Sequence, residues 1–333
     1  MNLVVLGSGG WGTAIALLLH KNGNTVTLWS HDAKKAEEMQ LSRNNPLLNG
    51  VSIPREICIT NDLKCLNTAE LVVFASPSFA LRAVAKQAAP YLPAPAVLLS
   101  VTKGIERGTH LRMSQVIAQE TGGGRPIAVL SGPSHAEEVA RGIPTGVVAA
   151  SADERTAQLI QTLFTNEDFR VYTHDDVVGV ELAGALKNVA ALCCGVSDGC
   201  GLGDNTKALL ITRAMAETSR LAERLGGCKE TLAGLAGMGD LIVTCTSRHS
   251  RNRRAGIAIG EGRAPQEVIA DMGGVVEGYY AAVSAKELAD AMGVEMPICT
   301  AVYDVLYHGA AVDDMIRRLM CRAPRRETDN KWV

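Results

Sequence analysis

Along the first half of the chain, short aliphatic runs alternate with segments whose apolar positions recur every three or four residues. That alternation predicts successive strand-helix-strand units and a mainly parallel sheet. The predicted strands are Leu3 to Leu6, Thr25 to Trp29, Leu71 to Ala75, Val97 to Ser100, Ile127 to Leu130 and Thr145 to Ala150. Each of the first five runs into Gly, Pro, Ser or Asp before helical spacing resumes, so their ends should form loops along one edge of the sheet. Open α/β sheets bind ligands beyond that edge, where the strand order reverses.

The second half has a different rhythm. From Asp175 onward Val178, Leu182, Ala185, Leu186, Val189 and Leu192 fall at helical spacing, and Asn205 to Leu225 and Glu277 to Met292 repeat the pattern with almost no strand signal between them. The expected fold class is α/β: a Rossmann-type, mainly parallel sheet over residues 1–177, followed by an all-α unit over 178–333. Arg322 to Val333, polar, basic and carrying Pro324, reads as a mobile tail. No internal repeat or low-complexity tract is evident.

Composition narrows the class. The 333 residues exceed the roughly 100–200 of one domain, which fits two cores. With 47% hydrophobic and 20% charged residues the chain is globular in character, and its formal charge of −2 argues against a nucleic-acid surface. Nine cysteines include no C-x-x-C pair, so no metal framework is spelled and reduced thiols are expected. Met1-Asn2 leads directly into an aliphatic run without a basic leader, and no apolar stretch approaches the roughly 18 residues of a span. A cytoplasmic location is the expectation, with neither membrane insertion nor nucleic acid among the partners. The many apolar helices of the second half make a homodimer plausible.

The clearest chemical signal is Gly7-Ser8-Gly9-Gly10-Trp11-Gly12, a G-x-G-x-x-G between a predicted strand and helix. In that context Gly7 takes the tight turn, Gly9 admits a pyrophosphate to the backbone, and Gly12 lets helix pack on strand. Free amides at the helix start then face the phosphates. The ribose end is ambiguous. Asp32 has the spacing to hold an NAD 2′-hydroxyl, whereas Ser30 and His31 could bond the 2′-phosphate of NADP. The acid falls beyond the strand end, and that favours NADP.

A dehydrogenase acting on a carbonyl needs a proton donor at oxygen and a cation to stabilise the developing oxyanion. Lys187, alone in a long apolar helix, suits both if desolvation lowers its pKa; a lysine extending to the surface is the ordinary alternative. Lys103 follows the strand Val97 to Ser100. Ser131-Gly132-Pro133-Ser134-His135-Ala136 follows Ile127 to Leu130, and both loops belong to the ligand edge. Gly237-Met238-Gly239-Asp240-Leu241 carries a single carboxylate suited to a substrate hydroxyl or a lysine. Ser250-Arg251-Asn252-Arg253-Arg254 could grip a phosphate, or be a solvated turn.

Taken together the motifs resemble bacterial NAD(P)-dependent glycerol-3-phosphate dehydrogenases, from Leu3 through about Ala323. The residues that carry the resemblance are the glycine turn, Thr102-Lys103-Gly104, Ser131 to Ser134, Gly184-Ala185-Leu186-Lys187-Asn188, Ser197-Asp198-Gly199, Gly237 to Leu241, Thr244-Cys245-Thr246, Ser250 to Arg253 and Val275-Val276-Glu277-Gly278. The resemblance implies reversible reduction of dihydroxyacetone phosphate to sn-glycerol 3-phosphate, the backbone of phospholipids, with NADP or NAD. Lys187 would exchange the proton on the C2 oxygen. Lys103 would touch cofactor and substrate, and Gly132, Ser134, Asp240, Ser250, Arg251 and Asn252 would surround the substrate. Gly10, Trp11, His31, Ala136, Val275 and Glu277 would line the dinucleotide, joined by Arg251. Ser8 stands where alanine is usual, and Ser134-His135 where Thr-Phe is frequent. Related hydroxyacid-type dehydrogenases place an asparagine four residues after the catalytic lysine, where this chain has Ala191. A non-catalytic dinucleotide sensor is the rival from another class.

Overall fold

The computed structural model describes residues 1–324, 326 and 327; most of the expected tail, Arg322 to Val333, lies outside the described residues. Eight strands form one sheet: β1 (Asn2–Leu6), β2 (Thr25–Trp29), β3 (Cys58–Thr60), β4 (Leu71–Phe74), β5 (Val97–Ser100), β6 (Ile127–Ser131), β7 (Thr145–Ala150) and β8 (Phe169–His174), in the order β3-β2-β1-β4-β5-β6-β7-β8. All neighbours are parallel except β6 and β7. Six strands match the hydrophobic runs. Two were not foreseen: β3 is only three residues long, and β8 alternates buried Phe169 and Val171 with exposed Arg170 and Tyr172, a half-buried strand at the sheet edge.

The helices of this half are α1 (Gly10–Lys21), α2 (Ala33–Ser42), α3 (Leu81–Ala88), α4 (Met113–Glu120), α5 (Ala136–Val139) and α6 (Glu154–Phe164). One apolar cluster joins Val5, Ile15, Leu28 and Val73 to Phe164, and another joins Val4, Leu6 and Phe74 to Leu81 and Ile117. Alternate residues of β1 therefore feed different cores, as the period of two requires. Because β1 pairs with β2 on one side and β4 on the other, strand order reverses at β1 and a crevice opens beyond Leu6.

After β8 the chain is helical: α7 (Val177–Gly199), α8 (Asp204–Arg224), α9 (Lys229–Ala233), α10 (Asp240–Thr246), α11 (Arg251–Gly260), α12 (Pro265–Asp271), α13 (Glu277–Met292), α14 (Pro297–His308) and α15 (Val312–Met320). Helix α7 is the hub. Contrary to the expectation that no apolar stretch approaches a span, it is by length and composition long and apolar enough to cross a membrane, but 78% of that window is buried within the protein. Asp176 caps it, accepting from Gly179 N at 2.7 Å and from Thr231 Oγ1 at 2.6 Å. Helix α11 crosses it at glycines: a Cβ on Gly195 would run into the Arg253 carbonyl, and one on Gly256 into that of Leu192. This close crossing fixes the start of α11 beside Lys187 and Asn188.

Candidate active site

The cleft between the sheet's carboxyl edge and the helices has a volume of about 720 Å³ and takes residues from both halves of the chain. Its sheet side begins at the glycine turn. Gly7 has φ of +129°, and a Cβ there would lie 2.6 Å from Ala75 O, so only glycine fits. Gly9 has nothing within 4 Å of a Cβ and leaves backbone open to a ligand. Gly12 does not line the cleft; it packs against Gly7 O, as helix-on-strand contact demands. Gly10 and Trp11 line the cleft at the start of α1, and the buried Trp11 Nε1 has no hydrogen-bond partner among the described residues. An open glycine backbone beneath a helix N-terminus fits a dinucleotide pyrophosphate.

The ribose end corrects one expectation. Ser30 is fully buried, and its hydroxyl accepts from Ser8 Oγ at 2.9 Å, so it cannot reach a ribose. Ser8, the departure from alanine, is what holds it there. Asp32 caps α2 by accepting from Lys35 N at 3.1 Å and does not line the cleft. His31 does line it, and Lys35 joins it there. Sequence spacing alone could not reveal Lys35, because only the turn of α2 brings it back to the cleft.

At the centre three charged side chains meet. Lys103, from the loop after β5, donates to Asp240 Oδ2 at 2.6 Å and to Gly132 O at 3.1 Å. Lys187, in the middle of α7, donates to Asp240 Oδ1 at 2.5 Å and to Thr244 Oγ1 at 2.7 Å. Asp240 opens α10 after a wide helical turn and sits behind the lysines, 1% exposed, rather than on the cleft surface. Burial pushes its carboxyl up, but the two ammonium groups outweigh that and hold it below its ordinary value. Burial also pulls Lys187 down to about 8; Asp240 opposes that fall, and the Lys103 charge adds to it. Lys187 is thus no surface lysine. Thr244 had no expected role, although its place four residues after Asp240 puts both on one face of α10.

The remaining expected residues divide by what they touch. Ser134, His135 and Ala136 line the cleft, while Gly132 contributes its carbonyl to Lys103. Ser134 Oγ donates to Gly132 O at 2.9 Å. Ser250 caps α11, accepting from Arg253 N at 3.2 Å. Arg251 lines the cleft, packs over Gly274 and donates to Val275 O at 3.3 Å. Asn252 also borders the cleft, but its amide is committed: Nδ2 donates to Asn188 Oδ1 at 2.9 Å and Oδ1 accepts from Gly278 N at 2.8 Å. Val275 and Glu277 complete this wall. Glu277 accepts from Ser78 Oγ at 2.7 Å, and burial pushes its carboxyl up. Ala191, where related dehydrogenases carry an amide, is fully buried in the helical core.

The family description "NAD-dependent glycerol-3-phosphate dehydrogenase N-terminus" matches residues 2–157, and the corresponding C-terminal description matches 176–317. A glycerol-3-phosphate dehydrogenase [NAD(P)+] from Pelotomaculum thermopropionicum is 49% identical over 331 residues, covering 98% of this chain and 95% of that protein. One from Moorella thermoacetica is 48% identical over 331 residues, covering 99% and 98%. The crystal structure of a glycerol-3-phosphate dehydrogenase from Coxiella burnetii superposes with a TM-score of 0.93 at 39% identity, over 96% of this chain and 98% of that one. A ketopantoate reductase from Ralstonia eutropha, at 14% identity and a TM-score of 0.59, shares the fold alone. In sequence, in architecture and in its paired matches, the chain belongs to the NAD-dependent glycerol-3-phosphate dehydrogenase family.

Proposed function

We propose that this protein catalyses the reversible NAD(P)H-dependent reduction of dihydroxyacetone phosphate to sn-glycerol 3-phosphate, in the cytoplasm, supplying the glycerol backbone of phospholipids. The observation that carries the reading is the buried Lys103-Asp240-Lys187 cluster at the floor of a cleft shared by a dinucleotide turn and the helices. A sensor without chemistry has no use for a desolvated lysine and a second ammonium group on one buried carboxylate. Such a cluster is costly to bury and adds little to stability, so it is best understood as a device for moving a proton.

A bound reduced nicotinamide supplies the hydride that reaches the substrate's C2. Lys187 holds the proton delivered to the C2 oxygen, and in oxidation takes it back. Asp240 and Thr244 fix the direction of its ammonium group, while Lys103 adds positive charge where the oxygen becomes anionic. Arg251, beside Ser134 and Ser250, faces the substrate phosphate. Residues 1–177 carry the dinucleotide and 178–333 carry Lys187, Asp240 and Arg251. With Asp32 turned to cap α2, His31 and Lys35 are left at the ribose end, which supports a preference for NADPH.

The test is initial rates with dihydroxyacetone phosphate and each reduced cofactor. Turnover is expected with both and faster at low concentration with NADPH. Lys187→Ala should lower kcat by about 10²-fold, the usual scale of acid-base help, while leaving dinucleotide binding intact. Near-normal turnover of that variant would remove Lys187 from its role.

A further inference from the structure

Several donors near Arg251 are partly engaged within the protein. Asn252 uses one amide N–H and its oxygen, Ser250 Oγ accepts at the start of α11 and keeps its O–H, and the Ser134 hydroxyl is turned to Gly132 O. Both lysines are bound to Asp240. A phosphate dianion has three terminal oxygens to satisfy, and a guanidinium already bonded to Val275 O supplies only part of what they need.

Two imidazoles line the same cleft. His135 comes from the sheet half, between Ser134 and α5; His249 comes from the helical half, directly before Ser250. Both line the cleft that Lys187 and Arg251 line, and their rings lie next to each other on its wall in tilted contact, 5.9 Å between centroids at 52°. Neither ring has a hydrogen bond among the described residues, and His135 Nε2 is buried without a partner. An unsatisfied imidazole nitrogen is a cost that a phenyl ring in the same place would not carry. A ligand oxygen would remove it.

We propose that His135 and His249 form a two-ring clamp, one ring from each half of the chain, whose nitrogens bond the phosphate of a small phosphorylated ketone. The proposal rests on the reading that the substrate is phosphorylated. Besides His249, the charged groups facing His135 are Glu137 and Glu138 on its own short helix, Lys187 from α7 and Asp240 from α10. Burial lowers the His135 pKa and the Lys187 charge lowers it further, against the pull of the three carboxylates, so the surroundings favour the neutral ring. A bound dianion favours the imidazolium and draws in a proton. Affinity for the dianion therefore rises as pH falls from about 8 towards the ligand's own second phosphate pKa of about 6, below which the dianion is lost, and His135 carries part of that rise.

The test uses the full chain as His135→Phe, His249→Asn and the double variant. Binding of sn-glycerol 3-phosphate to the NADP+-loaded protein is followed by calorimetry between pH 6 and 8, beside KM and kcat for dihydroxyacetone phosphate. Each single change should weaken binding and raise KM by about tenfold, the scale of one charge-assisted hydrogen bond. The fall in kcat should be smaller, and His135→Phe should flatten the pH dependence of binding. Dinucleotide affinity, read by fluorescence, verifies that each variant is folded. A double variant that binds sn-glycerol 3-phosphate within twofold of the parent overturns the clamp, as does a loss of kcat with KM unmoved. A wild-type protein that fails to reduce dihydroxyacetone phosphate overturns the parent reading instead.

Discussion

Lys187 and Asp240 make opposite demands on the same few ångströms. Burial discourages both charges, yet each stabilises the other, and Lys103 tilts the balance so that the Lys187 ammonium can release its proton at a pKa of about 8. In the proposed reaction reduction would use Lys187 charged, so its kcat/KM should fall as pH rises through about 8; oxidation would use it neutral and should fall as pH drops through the same value. Asp240→Asn leaves two lysines facing each other with no anion between them. The Lys187 pKa then drops further, and the break in the profile should move down by about one pH unit or more. Rates from pH 6 to 10 measure this, and an unmoved break would contradict the assigned coupling. Arg251→Ala should act differently, raising KM for dihydroxyacetone phosphate more than it lowers kcat; steady-state kinetics at saturating NADPH would show it.

At the scale of elements, the crossing of α7 and α11 sets where these side chains stand. Gly195 and Gly256 let two backbones touch, and about two turns back along α7 and one along α11 Asn188 and Asn252 bond at 2.9 Å. Gly256→Leu has no room and should cost about 1–3 kcal/mol in urea unfolding, with KM rising because the start of α11 is displaced. The aliphatic strands and the long helices were legible in the sequence because each is a sustained apolar pattern. β3 was too short to show one, and β8 offers its alternation over only six residues. The site was legible as residue types. What the sequence could not show was contact: Lys103 and Asp240 lie 137 residues apart, Lys187 and Asp240 lie 53 apart, and only the packed fold makes them neighbours. The same limit hid Lys35, Thr244 and the pairing of His135 with His249, and it left Ser30 looking available when Ser8 had already claimed it.

The molecule as a whole is held shut by polar contacts between its halves. Ser78 donates to Glu277 at one rim of the cleft. On the far side Glu181 of α7 accepts from Ser114 N at 2.8 Å, Ser114 Oγ at 2.6 Å and Arg112 Nη1 at 2.5 Å. Glu181→Ala removes the partner of the Arg112 guanidinium and of the Ser114 amide and hydroxyl and should cost about 3 kcal/mol, seen as a lower Tm. If the melting curve did not move, Glu181 would not be a structural tie. Helix α7 carries that tie, Lys187 and the glycine crossing on a single apolar rod, and this has a consequence for synthesis. A ribosome completes α7 before it has made α11, the helix that covers the glycine face. At about 5–20 residues per second, a segment apolar enough to enter a bilayer stands without that cover for seconds. The sheet half is already made by then, so Ser114 is present to receive Glu181 and dock α7 before α11 exists.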